Sequence, residues 1–102
     1  MNQYYRVHAV IDLDAICHNI REVKRVVGEC VKVMPVIKAD GYGHGAVPLA
    51  EMFEETPYIW GYAVACMGEA RTLRAHGIKK PILILGCVFP DEYEEMLSLI
   101  HI

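Results

Sequence analysis

Lys38 stands where an apolar run ends and a turn with three alternating glycines begins: Val36-Ile37-Lys38-Ala39-Asp40-Gly41-Tyr42-Gly43-His44-Gly45. Most lysines project into water from helix faces, whereas this one is aimed at whatever lies beyond the end of a strand. Glycine carries no Cβ and tolerates positive φ, so the turn can approach a ligand closely. Three chemistries compete for the arrangement. An amine at an apolar strand end is partly desolvated, which favours the neutral, nucleophilic form that builds a Schiff base with a carbonyl cofactor or substrate. A glycine-rich turn leading into a helix can instead hold a phosphate on backbone N–H groups. Asp40 and His44 could ligate a metal, but two ligands make a weak site. The plain alternative is a strand-to-helix turn whose lysine reaches solvent. The lysine precedes the glycines, so the motif is not a nucleotide P-loop, and glycines at 41, 43 and 45 do not spell the dinucleotide fingerprint.

The elements that must position this turn follow from periodicity. Residues 7–11, 31–37, 58–65 and 82–85 are β-favouring or apolar runs, although Pro35 cannot donate a ladder hydrogen bond. Between them lie helical patterns. Asp12 or Asp14 caps a helix with Ile16, Ile20, Val23 and Val27 on one face, and Gly28 stops it. Residues 46–55, 68–76 and 91–100 read as further helices, with Gly77, Pro57 and Pro90 as punctuation. Strand and helix alternate four times, which predicts an α/β fold with a parallel sheet. Chemistry then collects at the carboxyl ends of the strands, where Lys38, Cys66 and Gly86 stand. A complete (β/α)8 barrel needs about 250 residues. Four βα units are half of one and leave sheet edges and an apolar face without partners. The chain is therefore expected to be a fragment of a longer protein, or a small open α/β domain that pairs with something. The apolar end Leu99-Ile100-His101-Ile102 looks cut rather than finished.

At 102 residues the chain is one domain at most. Ten Lys and Arg against 13 Asp and Glu give a net charge of -3, with no basic stripe to serve as a nucleic-acid footprint. No signal-peptide pattern and no apolar run long enough to span a bilayer occur, so a soluble cytoplasmic protein is expected. Cys17, Cys30, Cys66 and Cys87 form no C-x-x-C pair and read as reduced, mostly buried thiols. His8, His18, His76 and His101 read as surface residues, and His44 as a tie from the glycine turn to the backbone.

Residues 37–45 resemble the pyridoxal-phosphate attachment motif of the alanine racemases. Val10-Ile11-Asp12-Leu13-Asp14-Ala15-Ile16 with Asn19-Ile20 is similar to that family's opening segment. Tyr62-Ala63-Val64-Ala65, Glu69-Ala70, Leu73-Arg74 and Gly77-Ile78 resemble its next unit, and Pro81-Ile82-Leu83-Ile84-Leu85-Gly86 the strand after that. The resemblance implies that residues 1–102 are the first part of a TIM-like, pyridoxal-phosphate-binding barrel of four βα units, without the C-terminal β domain. It implies that Lys38 forms a Schiff base with pyridoxal 5'-phosphate and then serves as one of two acid-base groups. Tyr42 would hydrogen-bond the cofactor phosphate, Val36 and Leu85 would line the cofactor pocket, and no metal is implied. The implied reaction is interconversion of L- and D-alanine for peptidoglycan, in a cytoplasmic homodimer. The second base of the family, a tyrosine in the C-terminal domain acting across the dimer interface, has no counterpart in this chain. Isolated, the chain is expected to be inactive. A serine, lysine or broad-specificity racemase of the same fold, or a non-catalytic truncated remnant, remain alternatives.

Overall fold

The computed structural model describes residues 8–100. Asp12 caps the first helix, α1 (Leu13–Val27), with its Oδ1 accepting the Ala15 N–H at 3.0 Å. The helix carries a basic last turn, and Lys24 reaches forward to donate to the Gly28 carbonyl at 2.8 Å, which satisfies an acceptor at the helix end. Leu13, Ile16 and Ile20 lie against the core, while Val23 and Val27 of the expected apolar face stay exposed.

Three backbone segments then pair in parallel and in chain order. The first is bridged to its neighbour at Val33↔Ile59 and Val36↔Ala63. The second and third are β1 (Tyr62–Val64) and β2 (Ile82–Ile84), in the register Tyr62↔Ile82, Ala63↔Leu83 and Val64↔Ile84. The expected strand over residues 31–37 is thereby reduced to two isolated bridges, and the physical cause is visible in the backbone. Pro35 has no N–H to give. The two bridges lie three residues apart on one segment and four apart on the other, so an extra residue bulges between Ile59 and Ala63. The ladder nonetheless closes at its carboxyl end, where Ala63 N–H donates to Pro35 O at 3.0 Å and Ile37 N–H to Ala63 O at 2.9 Å.

Residues 8–11 join no sheet, and Val10 is 82% exposed. Val7, where that strand was expected to begin, lies outside the described residues. A β-favouring run becomes a strand only when a neighbour supplies ladder partners, and none of the described residues does so. Three strand–helix units, not four, are therefore present among the described residues.

The helices follow the sheet in order. After the short turn α2 (Lys38–Tyr42) come α3 (Ala46–Glu54), α4 (Met67–Ala75), a 3-10 turn at Pro90–Glu92 and α5 (Tyr93–Ile100). Helix α3 packs on α4 and α4 on α5. Strands in sequence order with successive helices side by side on one face suit a stretch of barrel wall and equally one half of a doubly wound sheet, whose order reverses only between its halves. The core lies between the sheet and these helices: Ile37, Leu49, Phe53, Ile59, Tyr62, Val64, Leu73 and Ile78 are all buried. On the other face Val36, Ala63 and Leu83 share one row by register, and Leu85 stands two residues beyond Leu83. Val36, Leu83 and Leu85 are exposed there. Outside the core, the Arg71 guanidinium pairs with Glu95 and joins α4 to α5. Arg74 donates to the carbonyls of Ile78 and Lys80, both at 2.9 Å, and its burial lowers its pKa.

Tyr62 is the polar exception within the core. Its hydroxyl lies 2.9 Å from both the Ala50 carbonyl and Glu54 Oε1, so its single proton serves the link between β1 and α3. Burial first, and then the Glu54 carboxylate, raise its pKa above the ordinary value of 10.0. Tyr62→Phe is expected to destabilise the chain by about 1–2 kcal/mol in urea unfolding. The unfolded phenol ionises near pH 10 while the folded one keeps its proton, so the unfolded state binds fewer protons. The stability tied to Tyr62 is complete below about pH 10 and declines as the pH rises further. Phe at this position should flatten that part of the decline, and parallel pH–stability curves for the two proteins would refute the assignment.

Candidate functional site

The first sheet segment ends at Ile37, whose side chain is buried, and Lys38 is the first residue past the ladder. The chain then winds left-handed. Ala39, Asp40, Gly41 and Tyr42 have φ of 53°, 55°, 66° and 55°. Gly41 N–H bonds the Ile37 carbonyl at 2.8 Å and Gly43 N–H the Ala39 carbonyl at 3.1 Å, which closes a left-handed helical turn. The sequence reading, a glycine-rich turn between strand and helix, did not specify this left-handed winding. A left-handed conformation costs roughly 1–2 kcal/mol for each non-glycine residue, and Ala39, Asp40 and Tyr42 all adopt it. A Cβ at Gly41 would sit 2.8 Å from Leu49 Cδ1, so any side chain there would have to push the tip of Leu49 aside.

Two carboxylates offset the strain. Asp40 Oδ1 accepts the Ala46 N–H at 2.8 Å, which satisfies a donor at the start of α3, and the Asp40 carbonyl accepts the Gly45 N–H at 2.8 Å. Glu69, in the first turn of α4, reaches across to the neighbouring strand ends. Its Oε2 accepts the Ala39 N–H at 2.8 Å and its Oε1 the Ala65 N–H at 2.6 Å. Hydrogen bonds to a charged group are worth about 1.5–3 kcal/mol each, the same order as the strain they oppose. His44 Nδ1 lies 3.0 Å from the Gly41 carbonyl, the tie to the backbone expected of it.

Asp40 and His44 are therefore engaged with backbone groups, and among the described residues no three His, Cys, Asp or Glu side chains gather as a metal site. Lys38 is different. It is half-buried, and its ammonium makes no hydrogen bond or ion pair with any described residue. Tyr42 is 59% exposed on the turn, and Val36 and Leu85 are 40% and 52% exposed on the sheet face that the helices leave open. Because the three segments are parallel, Lys38, Cys66 and Gly86 all stand at one edge of the sheet, and Gly86 N–H bonds the Ala65 carbonyl at 3.1 Å. The thiols depart from expectation: Cys17 is half-buried, while Cys30, Cys66 and Cys87 are exposed, since each of these three falls in a connection between elements. Glu69 was missed as a site residue. Its signal was a Glu at the third position of a helix, placed to reach back to a free N–H before the helix. What the sequence did not disclose is its second partner, 30 residues away at Ala39.

A family model described as alanine racemase, N-terminal domain, matches residues 11–102. The chain is 46% identical over 92 residues to an alanine racemase of Desulforamulus reducens, an alignment covering 90% of this chain and 25% of that protein. It is 48% identical over 91 residues to the alanine racemase of Xylella fastidiosa strain 9a5c, covering 89% and 24%. Among solved structures, the alanine racemase of Clostridium difficile 630 matches with a TM-score of 0.83 at 38% identity, over 87% of this chain and 23% of that one. The Bacillus anthracis alanine racemase with bound L-Ala-P matches with a TM-score of 0.81 at 36% identity, over 87% and 23%. The chain thus spans about a quarter of the length of the curated relatives it matches. Parallel strands taken in chain order, a lysine turn at their carboxyl edge and these likenesses lead to one conclusion: the chain belongs to the alanine racemase family, within its N-terminal domain.

Proposed function

We propose that this chain is the lysine-bearing portion of a pyridoxal-phosphate-dependent enzyme that interconverts L- and D-alanine, and that Lys38 carries the cofactor. The single observation that supports this reading most is the Lys38 side chain at the sheet edge, engaged by no described residue and next to a turn held under strain. The donor set suits the cofactor. An amine condenses with its aldehyde, the exposed Tyr42 hydroxyl can donate to its phosphate, and Val36 and Leu85 offer apolar surface to its ring. When bound, pyridoxal phosphate supplies an electron sink for the negative charge left on a substrate Cα.

The residues of this chain do the rest on one face only. Lys38 takes the proton from Cα, or returns it, on the side from which it reaches the substrate. Inversion requires a second acid-base group on the opposite side, and that group, a tyrosine, comes from outside this chain. The full enzyme works as a cytoplasmic homodimer and makes D-alanine for peptidoglycan. Among the described residues no helix is long and apolar enough to cross a membrane.

Two measurements on the chain test this. A coupled assay for D-alanine should show no turnover, and clear turnover would refute the division of the two bases. Incubation with pyridoxal phosphate, borohydride reduction and peptide mapping should place the adduct on Lys38. Labelling of an exposed lysine such as Lys79 in its place would overturn the site.

A further inference from the structure

We infer that Glu69 is a positioning residue for Lys38. It clips the peptide that follows the lysine to the end of the adjacent strand, and so fixes where the amine is presented. This deepens the proposed function and rests on it for the role of Lys38. The geometry carries the inference. Ala39 is the residue immediately after Lys38, it has a φ of 53°, and its N–H donates to Glu69 Oε2 at 2.8 Å. The other oxygen of the same carboxylate takes the Ala65 N–H at 2.6 Å, one residue beyond β1. On the opposite side of Lys38, the Ile37 N–H is held by the Ala63 carbonyl at 2.9 Å. The lysine is thus bracketed by two links to the same neighbouring strand, one from a backbone carbonyl and one through Glu69. Its own side chain makes no hydrogen bond or ion pair with any described residue.

The chemistry demands a carboxylate at this position. Both of its oxygens accept, whereas a glutamine of the same shape accepts with one oxygen and presents donors at the other position. Glu69→Gln would therefore leave either the Ala39 or the Ala65 N–H facing a donor. Glu69→Asp keeps the charge but shortens the arm, so it cannot span both amides in the observed backbone. Helix α4 need not unfold in either variant, because Glu69 lies in its first turn and makes none of the α4 core contacts of Ala70 and Leu73.

The test compares wild type, Glu69→Gln and Glu69→Asp in the 102-residue chain, with Tyr62→Phe as a destabilised control whose lost hydroxyl engages Ala50 and Glu54 of α3 and not the clip. Amide hydrogen exchange is measured without cofactor. The rate of covalent adduct formation at Lys38 with pyridoxal phosphate is followed by reduction and mapping. In both Glu69 variants the Ala39 or the Ala65 amide should exchange at least about tenfold faster. Adduct formation at Lys38 should slow by a similar factor, while Tyr62→Phe stays within about twofold of wild type in that rate. Exchange unchanged in both variants overturns the clip. Faster exchange with an unchanged rate at Lys38 overturns its positioning role. A wild-type chain that forms no adduct at Lys38 overturns the proposed function instead, and the exchange arm still decides whether Glu69 holds the turn. If one Glu69 variant fails to fold, the other is read alone by the same criteria.

Discussion

The hydrogen-bonded ladder between residues 33–37 and 58–63 is the constraint on which the rest of the molecule depends. It makes these segments parallel, and parallel pairing obliges the chain to return through a helix each time. That return places α3 and α4 on the face bearing Ile37, Tyr62 and Val64, where the core forms. It also brings every strand end that could bear chemistry to one edge. Ile37 N–H to Ala63 O is the last bond of this ladder, and Lys38 begins where it stops. Had the two segments paired antiparallel, Lys38 and Ala65 would lie at opposite edges and Glu69 could not touch the backbone at both.

The left-handed turn is the second consequence. A right-handed start to a helix directly after Ile37 would be the cheap course for Ala39, Asp40 and Tyr42. The chain instead winds the other way before α3 begins, held by two carboxylates that each engage backbone N–H groups. Strain of this kind persists only where the surroundings determine it, and it clusters at sites that present a ligand-binding or reacting group. The turn also explains why the glycines alternate. Gly43 and Gly45 continue the positive φ values after Tyr42, and Gly41 passes against Leu49.

Much of this was legible in the sequence. The lysine at a strand end, the Asp12 cap, the alternation of strand and helix and the structural part played by His44 could all be read from residue type and spacing, because each depends on neighbours close in the chain. What escaped depends on distant partners. Glu69 looks like an ordinary first-turn acid until Ala39 is seen beside it. The run 7–11 has the right composition for a strand but finds no ladder partner among the described residues, and Pro35 with the bulge before Ala63 cuts the run at 31–37 to isolated bridges. Cysteine composition suggested burial, but three of the four thiols sit in exposed connections. The exposed row of Val36, Leu83 and Leu85 lies on the sheet face opposite the helices, and the relatives are about four times longer than this chain.

Under the proposed function, Lys38 is the working lysine of a two-base racemase. The most direct measurement grafts it in place of the matching N-terminal quarter of the Desulforamulus reducens alanine racemase and compares the chimera with its Lys38→Ala variant. The proposed function predicts racemisation of alanine by the first and a loss of at least about a thousandfold in the second. A folded, cofactor-loaded chimera without turnover, or a Lys38→Ala variant as active as its parent, would contradict it.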